Sequence, residues 1–252
     1  MKALAALLAL SLTVSAATAG SLRIATFNTE LSRKGPGLLL RDLERGGDAS
    51  IDAAIAAISA IQPDVLALQG IDWDQDLRAL AALKTRLSEA GAHYPHHFAL
   101  QPDAGLPSGH DLDGDGKTSG ARDAQGYGRF TGQGGLAVLS QLPVAAEITQ
   151  DLSSLLWADL PGALLPVHPD GSPFPSAEAQ AVQRLSSTGH WIVPLELPDG
   201  RRLNLMTFQA APPVFDGPED RNGRRNHDEI RLWQHVLDQG LAAAPFVIAG
   251  GT

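Results

Sequence analysis

The stretch from Leu22 to Gln69 restricts the fold of this chain more than any other. "LRIATF" at 22–27 alternates well enough for a first strand. "IDAAIAAISAI" at 51–61 sets Ile51, Ile55, Ile58 and Ile61 at helical spacing. Pro63 stops that helix, because a proline has no N–H to offer and its ring collides with the preceding turn. The apolar run "VLALQ" at 65–69, bounded by Pro63 and Gly70, then reads as a buried strand. A chain that opens strand, helix, strand belongs to the α/β architectures.

The rest of the pattern agrees. Arg78 to Ala90 reads as a helix ended near Gly91, and His93 to Leu100 as a strand. Residues 101–135 form a Gly- and Asp-rich loop too long to be a mere connection, which makes it a functional suspect. Leu136 to Leu139 resumes as a strand, and residues 151–187 are irregular. Trp191–Leu197 and Arg202–Phe208 are strands joined by the turn signal Pro198-Asp199-Gly200. Asn226 to Asp238 predicts an amphipathic helix with Asn226 as N-cap and Ile230, Trp233 and Leu237 on one face. Phe246–Ala249 is a last buried strand. A hairpin among strand–helix units predicts α/β (α+β) with mixed rather than purely parallel sheets.

Residues 1–19 stand apart. Lys2 is a positive start, Ala3 to Val14 an apolar middle too short to span a bilayer, and Ala17-Thr18-Ala19 a small-residue cleavage pattern. This predicts export to a periplasm or the medium, with residues 20–252 as the mature domain and no membrane insertion. The chain has no cysteine, so no disulfide partner supports it outside the cytoplasm. A net charge of −9 argues against gripping nucleic acid by bulk attraction and leaves room for a local basic patch. A terminal strand with only three residues after it predicts that the fold is incomplete at its C-terminal end.

Four groups of residues carry chemistry. "IATFNTE" puts Asn28 and Glu30 at the end of the first strand, on one face by the two-residue period. Such a pair can orient a phosphate and hold a divalent cation, or be a turn Asn beside a solvated Glu. "DLDGDGKTSG" sets Asp111, Asp113 and Asp115 on alternate positions before Gly116, the first half of an EF-hand type calcium loop. The twelfth position holds Arg122 rather than Glu, with Asp123 beside it, so Ca²⁺ ligation competes with a solvated polar turn. Arg221, Arg224, Arg225 and His227 gather at the start of the last helix, where guanidinium groups can meet a phosphate or pair with Glu219, Asp220 and Asp228. The glycines of 126–135 match no nucleotide-binding spacing and read as backbone flexibility beside a site.

Taken in order, "LRIATFNTE", "PDVLALQGIDWD", "GQGGLAVLSQLPV", "LNLMTFQA", "RRNHDEIRLW" and "FVIAGGT" resemble the endonuclease/exonuclease/phosphatase superfamily of deoxyribonuclease-like metal-dependent phosphoesterases. The resemblance implies a four-layer sandwich, two mixed β-sheets face to face with helices outside. It implies hydrolysis of a phosphoester, in a small molecule or nucleic acid, by water activated with Mg²⁺ and a His–Asp pair. Carried over residue by residue, it matches the family's Asn at Asn28. The metal-binding Glu falls on Gly70, the hairpin-strand His on Gln209 and a signature Asp on Gly251. Glu30 or Asp72 is then the available substitute carboxylate. Two outcomes are implied: a phosphoesterase with a rebuilt site, or a catalytically silent, calcium-stabilised binding scaffold or fragment.

Overall fold

The computed structural model describes residues 21–252; the expected export signal lies outside the described residues. Strand β1 (Ile24–Asn28) and strand β2 (Val65–Ile71) pair in parallel, Ile24 opposite Val65 and Asn28 opposite Gln69. Between them run α1 (Leu38–Arg45) and α2 (Ala49–Ile61). Helix α2 starts where Asp48 accepts hydrogen bonds from Ser50 N and Ile51 N at 3.0 and 3.1 Å, satisfying two first-turn donors. It buries Ile51, Ala54, Ile55 and Ile58, while Ile61 is exposed at the frayed end before Pro63. Every residue of β2 except Gly70 is buried, as expected of a strand covered on both faces.

Helix α3 (Arg78–Glu89) follows, its first N–H groups taken by Asp74, which accepts from Arg78 N at 2.8 Å and Ala79 N at 2.9 Å. β3 (His96–Phe98) and β4 (Gly135–Ser140) complete a first sheet of order β1-β2-β4-β3, in which β2/β4 and β3/β4 are antiparallel. The second sheet has the order β5-β6-β7-β8. It is built from β5 (Gln150–Asp151), β6 (Gly189–Glu196), β7 (Arg202–Gln209) and β8 (Phe246–Gly251). β6 and β7 form the expected antiparallel hairpin, and β7 and β8 run parallel. Helix α4 (Ala177–Val182) lies in the irregular stretch, and α5 (Arg221–Asp238) connects β7 to β8.

Three apolar layers hold this together. Val65, Ala67, Val138, Trp191, Val193, Leu205 and Ala249 fill the space between the sheets. Leu39, Ile55, Leu66, Leu68, Leu83 and Leu139 pack α1–α3 on the outside of the first sheet. Trp157, Ile192, Met206, Leu232, Trp233 and Val236 pack α5 on the outside of the second. The result is helix, sheet, sheet, helix, the four-layer α/β sandwich.

Some expectations shift. The strand at 93–100 shrinks to three residues, and α1 was not foreseen. Helix α5 starts at Arg221, five residues before Asn226, so Asn226 is no N-cap; its Nδ2 donates to Ala211 O at 2.7 Å instead. Ile230 faces out at 44% exposure, because α5 turns Arg225, Asp228 and Glu229 inward with Leu232, Trp233 and Val236. Gly126, Gly128 and Gly132 mark close backbone approaches rather than flexibility. A Cβ at Gly126 would collide with the carbonyl of Ser187, and one at Gly132 would meet Trp73.

Candidate active site

β1 and β2 are parallel, and so are β7 and β8, so each pair presents two carboxyl ends together. The pairs point the same way. Thr26 Oγ1 lies 3.1 Å from Gln69 Oε1 and 3.3 Å from Gly250 O, joining β1 to β2 in its own sheet and to β8 in the facing one. Asn28, Gly70, Gln209 and Gly251 therefore share one end of the sandwich, where strand ends commonly build sites in α/β proteins. Gln209 and Gly251 are opposite each other in register. The Oε1 of Gln209 is buried without a hydrogen-bond partner among the described residues, and its Nε2 reaches Ala210 O at 3.4 Å. Sequence reasoning missed Thr26 and Gln69; both sit inside strands, and only their cross-strand partners reveal a polar role.

Gly70 is the residue the chain bends around. Its φ is +69°, and β2 slips register there, Gln69 facing Leu136 and Ile71 facing Gly135. An extra residue in one strand with a left-handed backbone is a bulge that suits glycine. A Cβ at this position would collide with Oδ1 of Asn28 and stand 3.1 Å from Glu30 N. Asn28 Oδ1 itself accepts from Glu30 N at 3.3 Å. Glu30 adopts φ +52°, so the chain turns immediately after β1 and the expected shared face of Asn28 and Glu30 does not form. Glu30 is exposed and its carboxylate makes no hydrogen bond among the described residues.

Asp72 is committed elsewhere. Its Oδ2 accepts from Arg33 N at 2.8 Å and its Oδ1 from Gly134 N at 3.0 Å, pinning two loops to the end of β2. Burial raises its pKa against those two bonds.

The acidic loop is partly as expected. Asp111, Asp113 and Asp115 bring carboxylate oxygens within 4.8 Å of one another. Asp123 does not join them: it is buried, and its carboxylate accepts from Leu112 N at 3.1 Å and Gly120 N at 2.6 Å. The basic group divides too. Arg225 is buried, with Nη2 donating to the carbonyls of Gln125, Arg184 and Ser186 and Nε to Leu185, which commits it to holding the surrounding backbone. Arg224 reaches Leu165 O at 3.5 Å. The Arg221 side chain makes no hydrogen bond among the described residues, and burial, with the neighbouring Arg225 charge, lowers its pKa to about 10. Asp228 pairs with Arg231 and His227, not with the arginine trio; half-exposed His227 Nδ1 sits 3.1 Å from it. Helix α5 returns along the sheet, so its first turns lie beside Ala210 and Ala211, just past Gln209: Ala211 N donates to Glu229 Oε2 at 2.7 Å.

The sequence pattern of the Endonuclease/Exonuclease/phosphatase family matches residues 25–250. The chain belongs to that family.

Solved structures with the same family fold include an endonuclease/exonuclease/phosphatase from Beutenbergia cavernae, 18% identical over 90% of this chain and 46% of that one, TM-score 0.49. Sphingomyelinase C from Streptomyces griseocarneus is 19% identical over 92% of this chain and 64% of that one, TM-score 0.46. Beta toxin from Staphylococcus aureus with bound magnesium ions is 13% identical over 92% and 64%, TM-score 0.49. The chain thus spans about half to two thirds of the length of the solved structures it matches. No curated protein matches it.

The family is metal-dependent, but the strand end here does not fit Mg²⁺. That ion needs hard oxygen ligands in near-octahedral order, normally anchored by one or two carboxylates. Gly70 and Gly251 offer none, Asp72 is bound to two backbone N–H groups, Gln209 offers one neutral carbonyl oxygen, and the exposed Glu30 is then the single carboxylate left at this end, short of the set that the strand positions would supply. Gln209 also cannot take a proton from water as a histidine can.

Proposed function

We propose that this member of the endonuclease/exonuclease/phosphatase family is exported and binds a phosphoester-bearing ligand at the shared strand end without hydrolysing it through metal-activated water. The observation that carries the reading is the set Gly70, Gln209 and Gly251 on the positions where the family has its metal carboxylates and His. Losing the ion's charge neutralisation and the general base together removes the two largest contributions to phosphoester hydrolysis. A phosphate would be met from the side of α5, where the Arg221 guanidinium makes no hydrogen bond among the described residues, although it stands in the field of Asp113 and Glu219. Ca²⁺ belongs to the separate loop of Asp111, Asp113 and Asp115. Export is supported by residues 1–19, and no described helix is long and apolar enough to cross a membrane.

The deciding experiment incubates the purified mature chain with an aryl phosphodiester in Mg²⁺, Mn²⁺, Ca²⁺ or chelator, with Asn28→Ala as a contaminant control and circular dichroism to confirm folding. The expected result is no turnover from a folded chain. Metal-dependent turnover that vanishes in Asn28→Ala would overturn the reading and turn attention to the unengaged carboxylate of Glu30.

A further inference from the structure

We infer that Phe215 is a specificity residue of the phosphoester site: its ring meets a flat aromatic group on the same ligand whose phosphate faces Arg221. This rests on the binding reading above and goes past it by naming the ligand class, a phosphoester of an aryl alcohol or nucleoside.

The connection from β7 to α5 leaves the strand end at Gln209 and reaches Arg221 through residues 210–220. Phe215 lies within it and is 78% exposed, more than any other large apolar side chain among the described residues; Val214 beside it is 48% exposed. Its backbone is costly as well. At φ +70° it occupies the left-handed region that bulky L residues rarely enter. Such a conformation persists only where its surroundings hold it. Here Asn222, the residue after Arg221, does so from both sides: its Nδ2 donates to Val214 O at 2.6 Å and its backbone N to Asp216 Oδ2. Val214 N donates to Pro212 O at 2.8 Å. The start of the connection is fixed too, with Ala210 N donating to Gly251 O at 2.9 Å and Ala211 N to Glu229 Oε2 at 2.7 Å. Ring and guanidinium are therefore carried on one braced segment that begins at the strand end.

An open ring suits a flat partner. Aromatic pairs have an electrostatic preference of their own and gain from a single contact face, whereas an alkyl chain gains only in proportion to the surface covered. Exposed Asp216 and Asp220 flank the ring in the same connection. Their carboxylates would lose water if the tip sank into a bilayer, which favours a dissolved aromatic ligand over a lipid surface.

Phenyl phosphate and methyl phosphate are titrated separately into the full mature chain in chelator. Kd is read from backbone amide shifts, and released phenol is assayed in parallel. The wild type should bind phenyl phosphate about five-fold more tightly than methyl phosphate. Phe215→Ala should bring that ratio close to unity with methyl phosphate affinity unchanged, and Phe215→Trp should keep it. Phe215→Gly, which accepts the left-handed backbone, should lose the ratio while holding a Tm at or above that of the wild type, so that the loss is not one of folding. Ile61→Ala, which removes an exposed side chain at the other end of β2, should keep the ratio. Equal affinities in the wild type overturn the inference, and so does a ratio that survives both Phe215→Ala and Phe215→Gly. Phe215-dependent sedimentation with phosphatidylcholine vesicles, without an aryl preference, overturns it in favour of a membrane surface. Binding of neither phosphate overturns the inference and the binding reading together. Released phenol, absent from Asn28→Ala, would overturn the non-hydrolysing reading and leave the aryl preference standing; equal affinities without turnover would do the reverse.

Discussion

Asp123 and Asp113 are ten residues apart in one loop, yet they do opposite work. Asp123 is buried and accepts two backbone N–H groups, which closes the loop on itself. Asp113 lies among carboxylates, and burial raises its pKa, with the Asp115, Asp123 and Asp111 charges adding to the rise. Replacing Asp123 with alanine should strand the buried Leu112 N, release the Gly120 N to solvent and cost about 2 kcal/mol in urea unfolding. Asp113→Asn should cost less than about 0.5 kcal/mol, because the like-charge repulsion it relieves offsets the lost attraction to Arg221 at a partly exposed site. The same pair tests the cation. For an affinity near 1 mM, about 5 mM Ca²⁺ adds roughly 1 kcal/mol and raises Tm by about 2–4 °C. That rise should vanish in Asp113→Asn; an unchanged rise would move the ion elsewhere.

At the scale of the element, α5 carries a polar face into the protein rather than out of it. Arg225 ties four carbonyls from residues 125 and 184–186, and Glu229 accepts from Ser187 N, Ser187 Oγ and Ala211 N. Ser187 Oγ also lies 3.3 Å from Gln209 O, so this network sets the end of β7. A lysine has no planar fork to span those carbonyls. Arg225→Lys should therefore lose about 2–3 kcal/mol, while Arg221→Lys should leave stability within about 0.5 kcal/mol. If Arg221→Lys proves the costlier of the two, the division between structural and ligand-facing arginines is wrong. The sequence made the helices and strands legible where apolar periodicity is strong, as in α2 and β2. It made α5 legible only from Asn226 onward, because the first turn, "RNGRR", has no apolar stripe and is fixed by tertiary bonds. The positions of the strand-end site were legible by resemblance, with Gly70 and Gln209 on the expected strand ends. The left-handed bulge at Gly70 and the capture of Asp72 by Arg33 N and Gly134 N were not, since the first depends on the pairing of β2 with β4 and the second on neighbours 39 and 62 residues away.

Across the whole molecule, two buried groups tie the irregular connections to the sandwich and respond to pH in opposite senses. His190 is fully buried, with Nε2 donating to Glu229 O and Nδ1 accepting from Ser186 Oγ, 3.0 Å each. Burial lowers its pKa from 6.5 to about 3. The unfolded chain then binds the extra proton, so the contribution of His190 is full above pH 6.5 and is lost as pH falls toward 3. Asp103 pairs with Arg184 at 2.6 Å but leaves Oδ2 buried and without a partner among the described residues. Burial pushes it up to about 7 against the pull of Arg184 and Arg225, with Asp151 adding to the rise. Here the folded state holds the extra proton, and the contribution is full at acid pH and lost as pH rises toward 7. Between those limits the two slopes, each about 1.4 kcal/mol per pH unit, oppose each other in the wild type. Single substitutions should unmask them. From about pH 4.5 to 6.0, His190→Gln should fall relative to wild type by roughly 2 kcal/mol in urea unfolding, and Asp103→Asn should rise by a similar amount. Variants whose stability runs parallel to wild type over that window would show that neither buried group changes its proton affinity on folding.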